Sequence, residues 1–314
     1  MTVSNNSISL CICTYNRCDE LQKTLDSLVH IAPSLFEGDE LIVVDNNSSD
    51  QTAQIVERYC TQLPVKYLFE KTQGLSAARN CGIKRFKNAV IVFIDDDITV
   101  TNGFLQAYRQ AFVDYPKHAF FGGKILLDWQ GEKPAWLKAD NLTLINGLIG
   151  HYSYKGENGD YDRNSLLPYG ANFAVRRELV NAIGEFDPTL GVCGTQIGRG
   201  EETDYFQRAL LAGFKGRYVA DARVRHRFQA HRISTAYLYR YGIEKGRAEF
   251  SLTDRARQDW FFDCLLFLLR ALFQLLKGRR DRFYQCIINL GIIRGLYLAT
   301  INSGQGSDKT NLTI

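Results

Sequence analysis

Val90 to Asp97 reads VIVFIDDD: five β-branched or aromatic residues running directly into three carboxylates. A short, unbroken apolar run of this kind predicts a central strand of a parallel sheet, buried on both faces. Three adjacent acids at its C-terminal end repel one another unless positive charge sits among them. In open α/β sheets, ligands bind outside the carboxyl ends of the strands. Asp95, Asp96 and Asp97 therefore suit a hard divalent cation bridged to phosphate oxygens. The plainer alternative is a solvated acidic loop or a helix cap.

Upstream, the chain builds toward that strand in regular units. Ile8–Cys13 (ISLCIC) is an apolar run closed by the polar turn Thr14, Tyr15, Asn16, Arg17. Leu21, Leu25 and Leu28 then fall on one helical face, with Asp19 and Glu20 in the first turn. Glu40–Val44 (ELIVV) is a second strand, closed by Asp45-Asn46-Asn47-Ser48-Ser49-Asp50, which turns the chain and caps a helix through Ile55, Val56 and Tyr59. Val65–Phe69 is a third strand, and a turn at Gly74 opens the helix LSAARNCGIKRF. Strand and helix alternating four times in about a hundred residues imply right-handed βαβ units and a parallel sheet. Its polar strand ends share one edge, where a nucleotide would bind. No G-x-G-x-x-G follows the first strand and no G-x-x-x-x-G-K-[ST] occurs, which argues against a dinucleotide dehydrogenase and a P-loop.

Downstream, the spacing predicts a helix over Gly103–Val113, a strand in FFGGKILL, a strand over Gly170–Val175 and a helix from Arg177. Residues 129–165, rich in Trp, Gly, Asn and Tyr, read as a loop region over a cleft. Trp129, Trp136 and Tyr152 there suit either sugar stacking or a core. Gly191–Gly200 holds four glycines and leads into Glu201-Glu202 and the helix TDYFQRALLAG. From residue 231 the character changes. Phe261–Leu276 and Phe283–Ile301 are strongly apolar, broken by Asp263, Arg270 and Arg294, and joined through Lys277, Arg279, Arg280 and Arg282. Neither offers eighteen uncharged apolar residues, so they fit an interfacial membrane anchor better than a spanning helix. A buried helical hairpin, packed on the sheet or on a second subunit, is the other reading.

The net charge of +4 is too small to indicate nucleic acid. The eight cysteines form no C-x-x-C pair and several lie in apolar runs, which predicts reduced thiols in a cytoplasmic protein. MTVSNNSISL lacks the basic and apolar blocks of a signal peptide. The expected location is the cytoplasm, or the inner face of the cell membrane by peripheral attachment.

CTYNR, VVDNNSSD, GLSAARN, FIDDD, GANFAVRRE, FDPTLG, GRGEETDYFQRALLAGF and VRHRF follow one another in an order and spacing that resembles a family 2 glycosyltransferase of the GT-A fold, bacterial type. The resemblance spans about residues 7–230. It implies a Rossmann-type, mostly parallel sheet flanked by helices: a glycosyltransferase domain over 1–230 (nucleotide-binding half 1–100, acceptor half 101–230), with a C-terminal helical extension over 231–314. It also implies transfer of a sugar from a nucleotide diphospho-sugar to a hydroxyl of a polysaccharide, glycan or lipid-linked acceptor. Carried over residue by residue, Thr14, Tyr15, Arg17 and Asp45 line the base and ribose pocket, and Arg79 faces the nucleotide. Asp95 points to the ribose, Asp97 to the metal, with Asp96 between them, and Asn172 is a further substrate contact. His226 matches a second metal ligand.

The physical chemistry runs parallel to the resemblance. A leaving diphosphate gathers negative charge, which Mg²⁺ or Mn²⁺ neutralises without proton transfer; an imidazole ligand tilts the choice toward Mn²⁺. His226 is otherwise a surface histidine between Arg225 and Arg227, two arginines that suit a phosphate clamp. An acceptor hydroxyl needs a base. The resemblance puts Glu202 in that role, with Glu201 or Asp204 as alternatives; acids here also complement a helix N-terminus. One base and in-line attack imply inversion at the anomeric carbon. A nucleotidyltransferase acting on a sugar phosphate would need a glycine-rich basic loop, where CTYNRCDE has one arginine. A non-catalytic carbohydrate-binding protein would need neither acidic cluster.

Overall fold

The computed structural model describes residues 7–35, 37–132, 150–154, 158–194, 200–253 and 260–307. Its first compact unit comprises Met1–Asp128, Ile149–Thr195 and Gly200–Phe228; Gln229–Ile314 fall in the second.

The first unit is an α/β sandwich built on the predicted strand. β1 (Ile8–Thr14), α1 (Cys18–Ile31), β2 (Glu40–Asp45), α2 (Thr52–Tyr59), β3 (Val65–Phe69), α3 (Leu75–Arg85) and β4 (Val90–Asp95) alternate as their apolar periods dictate. The sheet order β3-β2-β1-β4 is parallel throughout. The register levels the strand ends: Thr14 lies opposite Asp45, and Cys13 opposite Asp95. Ile91, Val92, Phe93 and Ile94 are buried, as a strand covered on both faces must be. α1 turns Leu21, Leu25, Leu28 and Ile31 onto the sheet. α3 comes closer still: a Cβ on Gly82 would meet Cys11 Sγ at 2.8 Å, so its small residues let the helix lie directly on β1.

Beyond β4 the pairing turns antiparallel. β5 (Ile98–Val100), α4 (Phe104–Asp114), β6 (His118–Gln130), the two-residue β7 (Gly159–Asp160), β8 (Asn172–Arg176), α5 (Arg177–Ile183), α6 (Glu201–Leu211) and β9 (Lys215–Gln229) complete the unit. β8 pairs antiparallel with β4 and with β6, and β5 and β7 each pair antiparallel with β9. The nine-stranded order is β3-β2-β1-β4-β8-β6-β9-β5, with β7 beside β9. Rings of Phe93, Phe173, Phe186, Phe206 and Phe120, packed partly face to face and partly edge to face, fill the core where the parallel and antiparallel halves join. All eight cysteines are free thiols.

Tyr152 is core rather than a sugar platform: it is fully buried, its hydroxyl donates to the Leu166 carbonyl (2.7 Å), and it lies 3.0 Å from Tyr161 Oη. Trp129 is half-buried at the end of β6, and Trp136 lies outside the described residues.

Among the described residues the second unit contains three α-helices, α7 (Thr235–Thr253), α8 (Trp260–Leu276) and α9 (Arg280–Ser307). α7 and α9 touch backbone to backbone through two glycine pairs. A Cβ on Gly242 would stand 2.3 Å from the Ile288 carbonyl, and one on Gly291 would stand 2.3 Å from the Tyr239 carbonyl. Gly246 and Gly295 repeat the clash one turn on, against Ile292 and Ile243. This is the close packing that glycines four residues apart allow. Among the described residues one helix, over Arg280–Ile301, is by length and composition long and apolar enough to cross a membrane, and a third of that window is buried inside the protein.

Candidate active site

β4 delivers the three acids, and each meets a different environment. Asp95, its last residue, is half-buried; Asp96 and Asp97 are buried in the turn to β5. Asp96 turns inward, accepting a hydrogen bond from Thr14 Oγ1 (2.8 Å) and pairing with Arg17 Nη1 (2.8 Å). Arg17 Nη2 donates to Asp97 Oδ2 at 2.7 Å, so one guanidinium forks across two carboxylates. The other oxygen of Asp97 lies 3.3 Å from His226 Nε2. Burial, then Asp97, raises Asp95 above the ordinary carboxylate range against the pull of Arg79. Burial likewise pushes Asp96 up to about 6, although Arg17 opposes it.

His226 reaches Asp97 because β9 runs antiparallel to β5 with His226 opposite Ile98. The next residue holds the turn from beneath. Arg227 N–H donates to the Asp97 carbonyl (2.9 Å), and its guanidinium donates to the carbonyls of Ile98 (2.6 Å) and Glu20 (2.8 Å) and to Thr24 Oγ1 (2.8 Å). Thr24 Oγ1 in turn lies 2.6 Å from the Asp96 carbonyl. Arg227 is therefore a buried strut between α1 and the acid turn, not a phosphate clamp; Arg225 is exposed.

A second cluster forms where α3 meets α6. Arg79 is buried beneath Phe173 and Phe186, its Cζ 5.4 and 5.6 Å from their ring centres, and Nη1 donates to Glu201 Oε1 at 2.9 Å. A Cβ at position 170 would stand 2.3 Å from Arg79 Nη2, so a glycine there leaves room for the guanidinium in this position. Glu201 and Glu202 open α6 immediately after Gly200, whose φ of +98° swings the chain into the helix. Oε2 of each is buried and accepts no hydrogen bond among the described residues. Burial, then the neighbouring Glu201, pushes Glu202 up to about 8, with Arg79 opposing. Arg79 stays charged against burial through Glu201, Glu202 and Asp95, so it couples electrostatically to both clusters.

Thr14, Arg17, Asp95, Asp96, Asp97 and His226 thus gather at one strand end, and Arg79, Glu201 and Glu202 form the adjoining group. Tyr15 is half-buried just past β1. Asp45 sits level with Thr14, with Oδ1 accepting from Ser48 N–H (2.8 Å) and Oδ2 from Tyr67 Oη (2.7 Å). Asp204 pairs with Arg208 at 2.8 Å along the same helix. Asn172 corrects the expectation of a substrate contact. It is fully buried, its Oδ1 accepts from Tyr108 Oη (2.6 Å), and its Nδ2 donates to the carbonyls of Lys124 (3.1 Å) and Ala222 (2.8 Å). That amide ties β8 to its neighbour β6 and, across it, to β9. Sequence reasoning also missed two asparagines that shape the edge. Asn46 holds the turn before α3 through Thr72 O and Gly74 N–H, and Asn80 exchanges two hydrogen bonds with the Phe186 backbone. Both lie inside quoted motifs, where short polar residues after an apolar run are the available signal.

Asp97 and His226 set one carboxylate oxygen and one imidazole nitrogen beside each other, a donor pair that fits Mn²⁺ or Mg²⁺. Among the described residues no three His, Cys, Asp or Glu side chains gather into a ligand set. The pair therefore suits a cation that brings further oxygens with it.

The Glycosyl transferase family 2 model matches residues 9–184, more than half of the chain. Glycosyltransferase AglE of Haloferax volcanii is 32% identical over 273 residues, covering 86% of this chain and 82% of its own. The succinoglycan biosynthesis protein ExoM of Rhizobium meliloti is 25% identical over 303 residues, covering 92% of each. Among solved structures, the mannosyltransferase PcManGT of Pyrobaculum calidifontis, in complex with GDP-Man and Mn2+, superposes with a TM-score of 0.56 at 13% identity, over 98% of this chain and 76% of that one. S. aureus TarS 1–349 with UDP-GlcNAc gives a TM-score of 0.54 at 18% identity, over 96% and 92%. The chain belongs to glycosyltransferase family 2, and its fold is the GT-A fold. It is a transferase of sugars.

Proposed function

We propose that the chain transfers a sugar from a nucleotide diphospho-sugar to a hydroxyl of a glycan or lipid-linked acceptor, with inversion and with a divalent cation. The observation that carries this reading is the pairing of two unlike acidic clusters along one sheet edge. One is bridged by Arg17 and abuts His226, and the other holds a carboxyl at about 8. Asp97 and His226 would hold the cation, which when bound stabilises the charge of the departing diphosphate.

The chain's own residues do the rest. The strand ends bearing Thr14, Tyr15 and Asp45 offer the edge on which base and ribose rest. Arg17, which bridges Asp96 and Asp97, stands ready to turn its fork toward phosphate oxygens. Asp95, half-buried at the strand tip, faces the ribose. Glu202 takes the proton of the acceptor hydroxyl as that oxygen attacks the anomeric carbon from the side opposite the diphosphate; a carboxyl near 8 is matched to that task at neutral pH. Glu201, locked to Arg79, positions Glu202 and keeps its proton affinity high. The sole arginine of the β1–α1 turn is already engaged with two acids, which leaves no basic cradle for a triphosphate. Peripheral attachment to the inner face of the membrane completes the reading.

The test is a panel of nucleotide-sugars with Mn²⁺ and acceptor glycans, followed by nucleoside diphosphate release and by the anomeric configuration of the product. Pyrophosphate release from a nucleoside triphosphate and a sugar phosphate, or a retained anomer, would overturn it.

A further inference from the structure

Among the described residues fifteen large apolar side chains are exposed, and eight of them lie on the seventeen-residue α8. A soluble protein scatters such residues singly; a contiguous group marks a surface that is covered in use. The helix divides into three sectors. Cys264, Phe267, Ala271 and Gln274, spaced three and four apart, form its inner, partly buried face. Leu265, Leu266, Leu269, Leu272, Phe273 and Leu276 spread over the outer arc, and Leu276 is 79% exposed. Arg270 and Lys277, two turns apart, line one edge of that arc.

Both cations lie on aromatic rings: Arg270 Cζ is 5.4 Å from the Phe267 ring centre and Lys277 Nζ is 4.4 Å from that of Phe273. Gly278, at φ +68°, then turns the chain, and Arg279, Arg280 and Arg282 follow, all exposed. An apolar arc rimmed by long cationic side chains, with stems along the hydrocarbon and charges at its border, is complementary to an anionic lipid surface. α8 is about 25 Å long at helical rise, short of the roughly 30 Å hydrocarbon core, and carries Asp263 and Arg270 within it. It suits lying in the interface. α9, the helix of spanning length, is instead held against α7 through the glycine pairs. A second copy laid on the same arc would bring the same cations to the rim, with Asp263 and Asp281 the acids on these segments to answer them.

We infer that the outer face of α8 docks on anionic lipid, with Arg270, Lys277, Arg279, Arg280 and Arg282 as its phosphate-facing border. This deepens the peripheral location proposed above and names the element responsible.

The full chain is floated with vesicles of phosphatidylcholine alone and with phosphatidylglycerol added, while UDP affinity with Mn²⁺ is measured in parallel. The expected result is binding to the anionic vesicles that weakens with salt. Leu269→Glu with Leu272→Glu should abolish it, and Lys277→Glu, Arg279→Glu or Arg280→Glu should each lower it about fivefold or more at low salt. UDP affinity should not move in any of them. Unchanged flotation of the leucine variant overturns the proposal, as does a full chain that ignores anionic vesicles at low salt. So does a dimer in solution that those leucine substitutions split, which would assign the arc to a second copy. Loss of UDP binding in the wild type with flotation intact would instead count against the transfer reaction and leave the lipid surface standing.

Discussion

Replacing Glu202 by glutamine keeps the size of the side chain and removes its proton. Burial and Glu201 raise this carboxyl from 4.5 to about 8. A group whose folded value lies above its unfolded value binds more protons when folded, so its contribution to stability is complete below about pH 4.5 and is lost as pH rises toward 8. At about 1.4 kcal/mol per unit the ceiling of that loss is ~5 kcal/mol. Glu202 as a residue is only half-buried and relaxes with Glu201, so an observed difference of ~2 kcal/mol is expected. Urea unfolding of both proteins at several pH values should show the variant gaining on the wild type between pH 4.5 and 8 and holding level above. Sugar transfer should fall by about 10²–10⁴-fold, and the alkaline rise of the wild-type rate, governed by a group near 8, should vanish. UDP affinity with Mn²⁺ should stay unchanged. A stability difference flat across pH refutes the raised carboxyl. Wild-type turnover in Glu202→Gln, together with loss in Glu201→Gln, moves the base by one residue.

Asp97→Ala should abolish Mn²⁺-dependent UDP binding by calorimetry with the fold intact, and unchanged affinity would end the metal reading. Arg17→Ala should strengthen binding of Mn²⁺ alone by about tenfold, since the two acids lose their internal counter-ion; weaker binding would contradict that role. Arg79→Ala strands two buried acids and should lower unfolding stability by about 3–5 kcal/mol, and a loss under about 1 kcal/mol would show the pair to be dispensable. Gly291→Val drives a side chain into the Tyr239 carbonyl and should cost about 1–3 kcal/mol in thermal unfolding while sparing UDP affinity. An unchanged Tm would mean that the helices separate freely.

The parallel half was legible because its signals are local. VIVFI, ELIVV and ISLCIC are runs that only a doubly covered strand accommodates, and the polar residues closing them mark the edge. β9 was not read as a strand because its charges disguise it. Arg227 is buried, yet its burial depends on acceptors in Glu20, Thr24 and Ile98, far away in sequence. Asn172 failed for the same reason, its three partners lying 48 to 64 residues away. A sequence shows that arginines stand near acids; whether a guanidinium is engaged internally, as Arg17 and Arg79 are, depends on packing. The glycine contacts of α7 and α9 went unread, although G-x-x-x-G stands at 242–246 and at 291–295.

The antiparallel match of β9 to β5 makes the length of that strand a ruler. Val224, Arg225 and His226 stand opposite Val100, Thr99 and Ile98, and neighbours along a strand point to opposite faces. Losing one residue ahead of His226 would slide an arginine beside Asp97 and turn the imidazole away, although no chemical group of the site had been altered. Deletion of the exposed Arg223 and its replacement by alanine should therefore part company. The deletion should forfeit Mn²⁺-dependent UDP binding and the substitution should keep it, so the site depends on the length of this stretch even where it does not depend on the side chain.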